Sequence, residues 1–159
     1  MKLQVEWSDP VSMRRATRYG PTYLVDLDKL PIAAGVYIFG REWGSGFEAL
    51  YVGKAKNIRQ RLKGQLNNLR LMQHLHDAKA GRRIILAGRL VTKPGQQLDR
   101  CLPIVERAFI RHFLSEGHDL VNIQGARLRQ HEVESTRRPG GFVPRVMYLD
   151  RSRTRTGRQ

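Results

Sequence analysis

The sequence predicts an α/β (α+β) protein, with a small mixed sheet of about three central strands flanked by helices and basic extensions at both ends. Three observations carry this expectation. GVYIF (35–39) and ALYVG (49–53) are apolar, β-branched and aromatic, and they flank a polar, glycine-bearing stretch, which is the pattern of a β-hairpin. Apolar residues then recur at helical spacing, first at Ile58, Leu62, Leu66 and Leu69, and later at Leu98, Leu102, Val105, Phe109 and Phe113, each set marking one face of a helix. Between these helical stretches RRIILAGRLV (82–91) reads as a further strand. The resulting order, β-β-α-(α)-β-α, belongs to a mixed layer rather than to an alternating parallel fold.

Taken in order, residues 1–30 form an N-terminal extension. Asp9-Pro10 and Gly20-Pro21 break it, Arg14, Arg15 and Arg18 make it basic, and a short strand is expected at either end. The core spans 31–126. Asn57 is placed to cap the helix that follows the hairpin, and Gly64 with Asn67-Asn68 weakens its middle, so one helix or two are expected before Gly81. TKPG closes the next strand, and a helix runs from Gln96 to Gly117, with Pro103 marking a kink or a late start. A C-terminal extension, 127–150, carries a short strand in FVPRVMYL. The tail RSRTRTGRQ (151–159) has four arginines and no acid or apolar residue, so it is expected to be disordered when free and to add sequence-independent attraction to phosphate.

Charge narrows the function. In 159 residues, 29 Lys and Arg face 14 Asp and Glu, a net charge of +15. Such an excess opposes compaction and suits a polyanionic partner, because Lys and Arg contacts to phosphate release condensed counterions. No apolar run approaches a spanning length and MKLQVEWSDP has no signal-peptide core, so a cytoplasmic protein without a membrane partner is expected. The single cysteine, Cys101, excludes an intrachain disulfide framework and a Cys-rich zinc site, and reads as a small core residue. Nucleotide-binding loops, zinc-protease helices and nucleophile elbows have no counterpart here.

Phosphodiester hydrolysis needs a nucleophilic water, a group to take its proton, and positive charge where the phosphorane oxygens develop charge. Tyr37 and Tyr51 hold corresponding places on the two hairpin strands. A phenol there can position a water or relay a proton, although strand tyrosines also serve simply as packing. Arg61 lies one turn beyond Ile58, at the edge of the apolar stripe. Lys54, Lys56, Arg59 and Lys63 form a phosphate-tracking face, since no acid occurs between Glu48 and Asp77. Lys54, directly after Gly53, is placed to point at the same phosphate. Glu106 borders the buried stripe of its helix, where it either pairs with Arg107 or Arg111 or binds a hard cation such as Mg²⁺ or Mn²⁺. Asn122, in the loop after that helix, supports the site or is a turn residue. His74 and His76 read as surface residues.

In combination, GVY (35–37), YVGKAKNIRQRL (51–62), VERAFIRHFL (105–114) and LVN (120–122) resemble the GIY-YIG nuclease superfamily. The stretch LYVGKAKNIRQRL is especially similar to the N-terminal nuclease module of UvrC repair subunits. The resemblance covers residues 31–126. It implies a stand-alone GIY-YIG-like fold, with Tyr37 as general base or water-orienting group and Tyr51 assisting at the same water or phosphate. Arg61 would hold the scissile phosphate, Glu106 would be the sole carboxylate ligand of one Mg²⁺ or Mn²⁺, and Asn122 would support the site. Gly35 and Gly53 would permit close packing at the motif ends. Many members carry His or Tyr where this chain has Gln65. The implied activity is metal-dependent endonucleolytic cleavage of DNA, with RNA left open. The alternative is a nucleic-acid-binding or targeting module that keeps the fold without cleaving.

Overall fold

The computed structural model describes residues 1–16, 18, 20–121, 130–136 and 145–150. The chain divides into two compact units, Met1–Asn122 and Ile123–Gln159. The first contains β1 (Gln4–Trp7), β2 (Val11–Arg15), β3 (Tyr23–Val25), a 3₁₀ turn (Leu27–Lys29), β4 (Gly35–Trp43), β5 (Gly46–Ala55), α1 (Ile58–Gln65), α2 (Leu69–Asp77), β6 (Arg82–Val91) and α3 (Leu98–Ser115). The second contains an antiparallel ribbon of β7 (Gln130–Glu134) and β8 (Val146–Asp150). β8 overlaps the expected C-terminal strand in FVPRVMYL and ends one residue beyond it. Asn122 and the tail 151–159 lie outside the described residues.

The architecture is mixed α/β as expected, but the sheet is larger and simpler than expected. It has six strands rather than about three, in the order β3-β2-β6-β4-β5 with β1 also on β6, and every described pairing is antiparallel. The extra strands come from the N-terminal segment. Asp9-Pro10 interrupts one edge-tracking stretch instead of ending it, so that Trp7 pairs with Gly88 and Val11 with Ile85. The backbone N–H of Ser8 bridges the gap by donating to the Ala87 carbonyl at 3.0 Å. Alternation then buries Val11 and Met13, and β3 adds Tyr23.

The hairpin also runs further than expected. Its strands continue through the polar stretch and leave only Gly44-Ser45 as the turn, with Trp43 opposite Gly46. The register shifts once. Phe39 pairs with Tyr51 but Gly40 pairs with Ala49, so Leu50 is an extra residue in β5. A bulge of this kind reverses the alternation on one strand. Phe47 and Tyr51 have the same parity, yet Phe47 packs on Phe113 of α3 whereas Tyr51 packs on Tyr37.

Asn57 caps α1, its side chain accepting from the Gln60 N–H at 3.1 Å. The helical stretch is two helices, because the chain restarts at Asn68, whose side chain accepts from the Leu71 N–H. The restart changes the phase of the apolar stripe. Ile58 and Leu62 are fully buried, but Leu69, expected on the same stripe, is 78% exposed, and Leu71, Met72 and Leu75 are buried in its place. α3 starts at Leu98 and runs through Pro103.

Two apolar clusters flank the sheet. Tyr37, Phe39, Leu50 and Ile85 pack with Ile58 and Leu62 of α1 and Leu71, Met72 and Leu75 of α2. On the opposite face Val36 and Leu90 pack with Cys101, Leu102 and Val105 of α3, so Cys101 is a core residue as expected. Fully burying one such Leu or Ile side chain is worth about 1.5–3 kcal/mol, and it fixes the helices that carry Arg61 and Glu106. Among the described residues no helix is long and apolar enough to cross a membrane.

Candidate active site

The register of β4 and β5 builds the centre. Tyr37 is opposite Gly53 and Phe39 opposite Tyr51, which puts both tyrosines on the α1 face as diagonal neighbours. Their rings stack with centroids 6.1 Å apart and planes inclined by 23°. Gly53 makes this arrangement possible, because a Cβ there would sit 2.5 Å from the Tyr37 hydroxyl oxygen. Gly35 has a related role, since a Cβ on it would drive into the Gly88 carbonyl and part β4 from β6. Both motif glycines thus occupy points of close approach.

Gln65, at the end of α1, spans the two phenols. It is buried, and its Nε2 donates to the hydroxyl oxygens of Tyr37 and Tyr51, each at 3.1 Å. Its Oε1 accepts from Asn68 Nδ2 at 3.2 Å. Burial and the neighbouring Tyr37 push the Tyr51 phenol up to about 12, with the Gln65 hydrogen bond and the Arg61 charge acting in the other direction. Tyr51 is therefore held protonated across the neutral range.

Arg61, exposed on α1 one turn before Gln65, is held above its ordinary pKa chiefly by its hydrogen bond with Tyr37, with Tyr51 and Glu106 adding to the same effect. Its guanidinium is fixed as a cation beside the tyrosine pair. Lys54, Lys56, Asn57, Gln60, Arg61 and Gly64 line a surface recess of about 470 Å³.

Glu106 reaches β5 from α3, where it forms an ion pair with Lys54 rather than with Arg107 or Arg111. Its side chain is 18% exposed and that of Lys54 is 39% exposed, so the pair meets solvent on the lysine side. Among the described residues no group of three His, Cys, Asp or Glu could enclose a metal. A cation here would have one carboxylate ligand, Glu106, and an oxygen donor of that kind would suit Mg²⁺ or Mn²⁺ better than zinc.

The four residues expected to track phosphate have different surroundings. Lys54 binds Glu106, and Lys56 pairs with Asp99 at 2.7 Å on the open surface. Arg59 turns back to the 3₁₀ turn, donating to the Leu30 carbonyl at 2.9 Å and the Asp28 carbonyl at 3.1 Å. Lys63 is exposed on α1. The two histidines of α2 are half-buried, and His74 Nε2 lies 2.9 Å from the Asp119 carbonyl. Two polar contributors went unread in the sequence. Asn68 looked like a helix weakener, although Asn ahead of an apolar run is also a cap signal. His118 accepts from the Ala49 N–H at 2.8 Å, and burial lowers its pKa.

No family model, curated protein or solved structure matches the chain.

Proposed function

We propose that the protein is a divalent-metal-dependent endonuclease of the GIY-YIG kind, acting in the cytoplasm on DNA phosphodiesters. The observation that carries this reading is the grouping of four side chains from four elements. Tyr37 and Tyr51 share one hydrogen-bond donor, Arg61 lies one turn before that donor on α1 with its positive charge favoured by both phenols and by Glu106, and Glu106 meets β5 at Lys54. Arg61 supplies positive charge for a phosphate and for the oxygens that become more negative as the water attacks. Tyr37 and Tyr51 orient that water, with Tyr51 held protonated as a donor. Glu106 would hold Mg²⁺ or Mn²⁺, which when bound contributes Lewis acidity toward phosphate and water. The flanking cations and the basic tail suit backbone attraction with limited base readout.

A second reading is favoured by the ion pair itself. Lys54 already neutralises the only carboxylate of the cluster, as expected of a module that binds nucleic acid without a metal. The two readings separate on incubation of plasmid and single-stranded DNA with Mg²⁺ or Mn²⁺. Metal-dependent nicking by wild type, lost in Glu106→Ala and Tyr37→Phe, supports the nuclease. Firm binding with no nicking supports the module and ends the enzymatic reading.

A further inference from the structure

We propose that Asn68 and Gln65 form a polarity relay, in which the cap of α2 dictates that both active-site phenols accept from the protein and keep their own protons for the substrate side. The relay rests on the nuclease reading for its purpose but not for its existence. Gln65 is the positioning residue, and it acts through Tyr37 and Tyr51.

A side-chain amide can be turned around, exchanging its oxygen for its nitrogen, and only its partners decide which way it faces. Here the decision traces to one group that cannot be reversed. The Leu71 backbone N–H is a donor only, and it points at Asn68 Oδ1 at 3.2 Å. That contact leaves Nδ2 as the Asn68 atom facing Gln65, where it donates to Oε1 at 3.2 Å. With Oε1 so engaged, the two N–H groups of Gln65 Nε2 face the sheet and reach the two hydroxyl oxygens.

Reversing Gln65 alone would oppose two donors, and reversing Asn68 as well would set its NH₂ against the Leu71 N–H. Burial raises the penalty for either error, since Gln65 is only 6% exposed. Each phenol oxygen therefore receives a hydrogen bond, and its hydroxyl proton is directed away from Gln65. An amide does this without titrating near neutrality, unlike an imidazole.

Asn68→Asp provides the test. Aspartate keeps the cap, since one oxygen still accepts from the Leu71 N–H, but it presents a second acceptor to Gln65. The relay then predicts that Gln65 turns over and accepts from the phenols. Gln65→Glu removes the donors directly at nearly constant volume. The readout is the tyrosine Fermi doublet in the Raman spectrum, whose intensity ratio distinguishes accepting from donating phenols, assigned by difference against Tyr37→Phe and Tyr51→Phe. Both variants should shift the doublet toward donors, with thermal stability of Asn68→Asp close to wild type. Nicking should fall roughly tenfold in kcat with KM little changed, about the effect of one net hydrogen bond. An unchanged doublet in a folded Asn68→Asp variant overturns the relay, because a residue that merely caps α2 would leave the phenols as they were. A shifted doublet in a protein whose wild type cuts nothing upholds the relay and defeats the nuclease reading.

Discussion

The two faces of β5 solve the problem of holding polar groups in different ways. On the α1 side, Tyr51 and the space left by Gly53 belong to a neutral cluster whose hydrogen bonds are held by buried Gln65. On the α3 side, one residue further along the strand, Lys54 belongs to a single ion pair open to water. The neutral cluster is set by many mutually dependent contacts and has one arrangement. The ion pair is set by charge alone, and another cation or a phosphate can compete for either partner. A site divided in this way keeps its geometry fixed while leaving its charge exchangeable.

The largest test of this contrast removes the cation beside the neutral cluster. Arg61→Ala should lower the nicking rate by ~10²–10³, the usual loss for a donor aimed at developing charge, with little change in thermal stability because the side chain is exposed. Next comes the neutral cluster. Gly53→Ala should destabilise the protein by about 1–3 kcal/mol in denaturant titration, as overpacking does, and should displace the Tyr37 ring. Equal stability of this variant and wild type would mean that the cluster is looser than described.

Alkaline unfolding probes the same cluster more gently. The Tyr51 phenol sits at about 12 in the fold, against about 10 when unfolded. The unfolded chain thus loses this proton first, and the stability that Tyr51 contributes, complete below pH ~10, disappears as pH rises toward 12. Tyr51→Phe should flatten that part of the stability profile. The smallest effect belongs to the ion pair. Lys54→Met should raise Mn²⁺ affinity, measured by calorimetry without DNA, by roughly two- to fivefold, as expected from removing a partner worth less than ~1 kcal/mol at a partly exposed site.

Much of the fold was legible because the signals were local. The alternating apolar runs marked β4, β5 and β6, Asn57 marked the start of α1, and the spacing from Leu98 to Phe113 marked α3. What stayed hidden depended on pairing at a distance. Nothing near Asp9-Pro10 says that the strands on both sides meet β6, and the exposure of Leu69 follows from a helix restart that changes phase by less than a turn. The candidate site divides in the same way. Tyr37, Tyr51, Arg61 and Glu106 stood out by type and spacing, whereas the part played by Gln65 depends on three side-chain partners, one of which, Asn68, is itself set by the Leu71 backbone N–H.

The extra residue at Leu50 has a mechanical consequence. It lets β5 change its phase between Ala49 and Tyr51, so the hairpin tip follows α3 while the motif end follows α1. The strand is in effect spliced, and the splice insulates the tyrosines from whatever happens beyond it. The Gly44-Ser45 turn is accordingly the place where a fluorophore, tag or grafted loop should be carried with the geometry of the tyrosine cluster undisturbed.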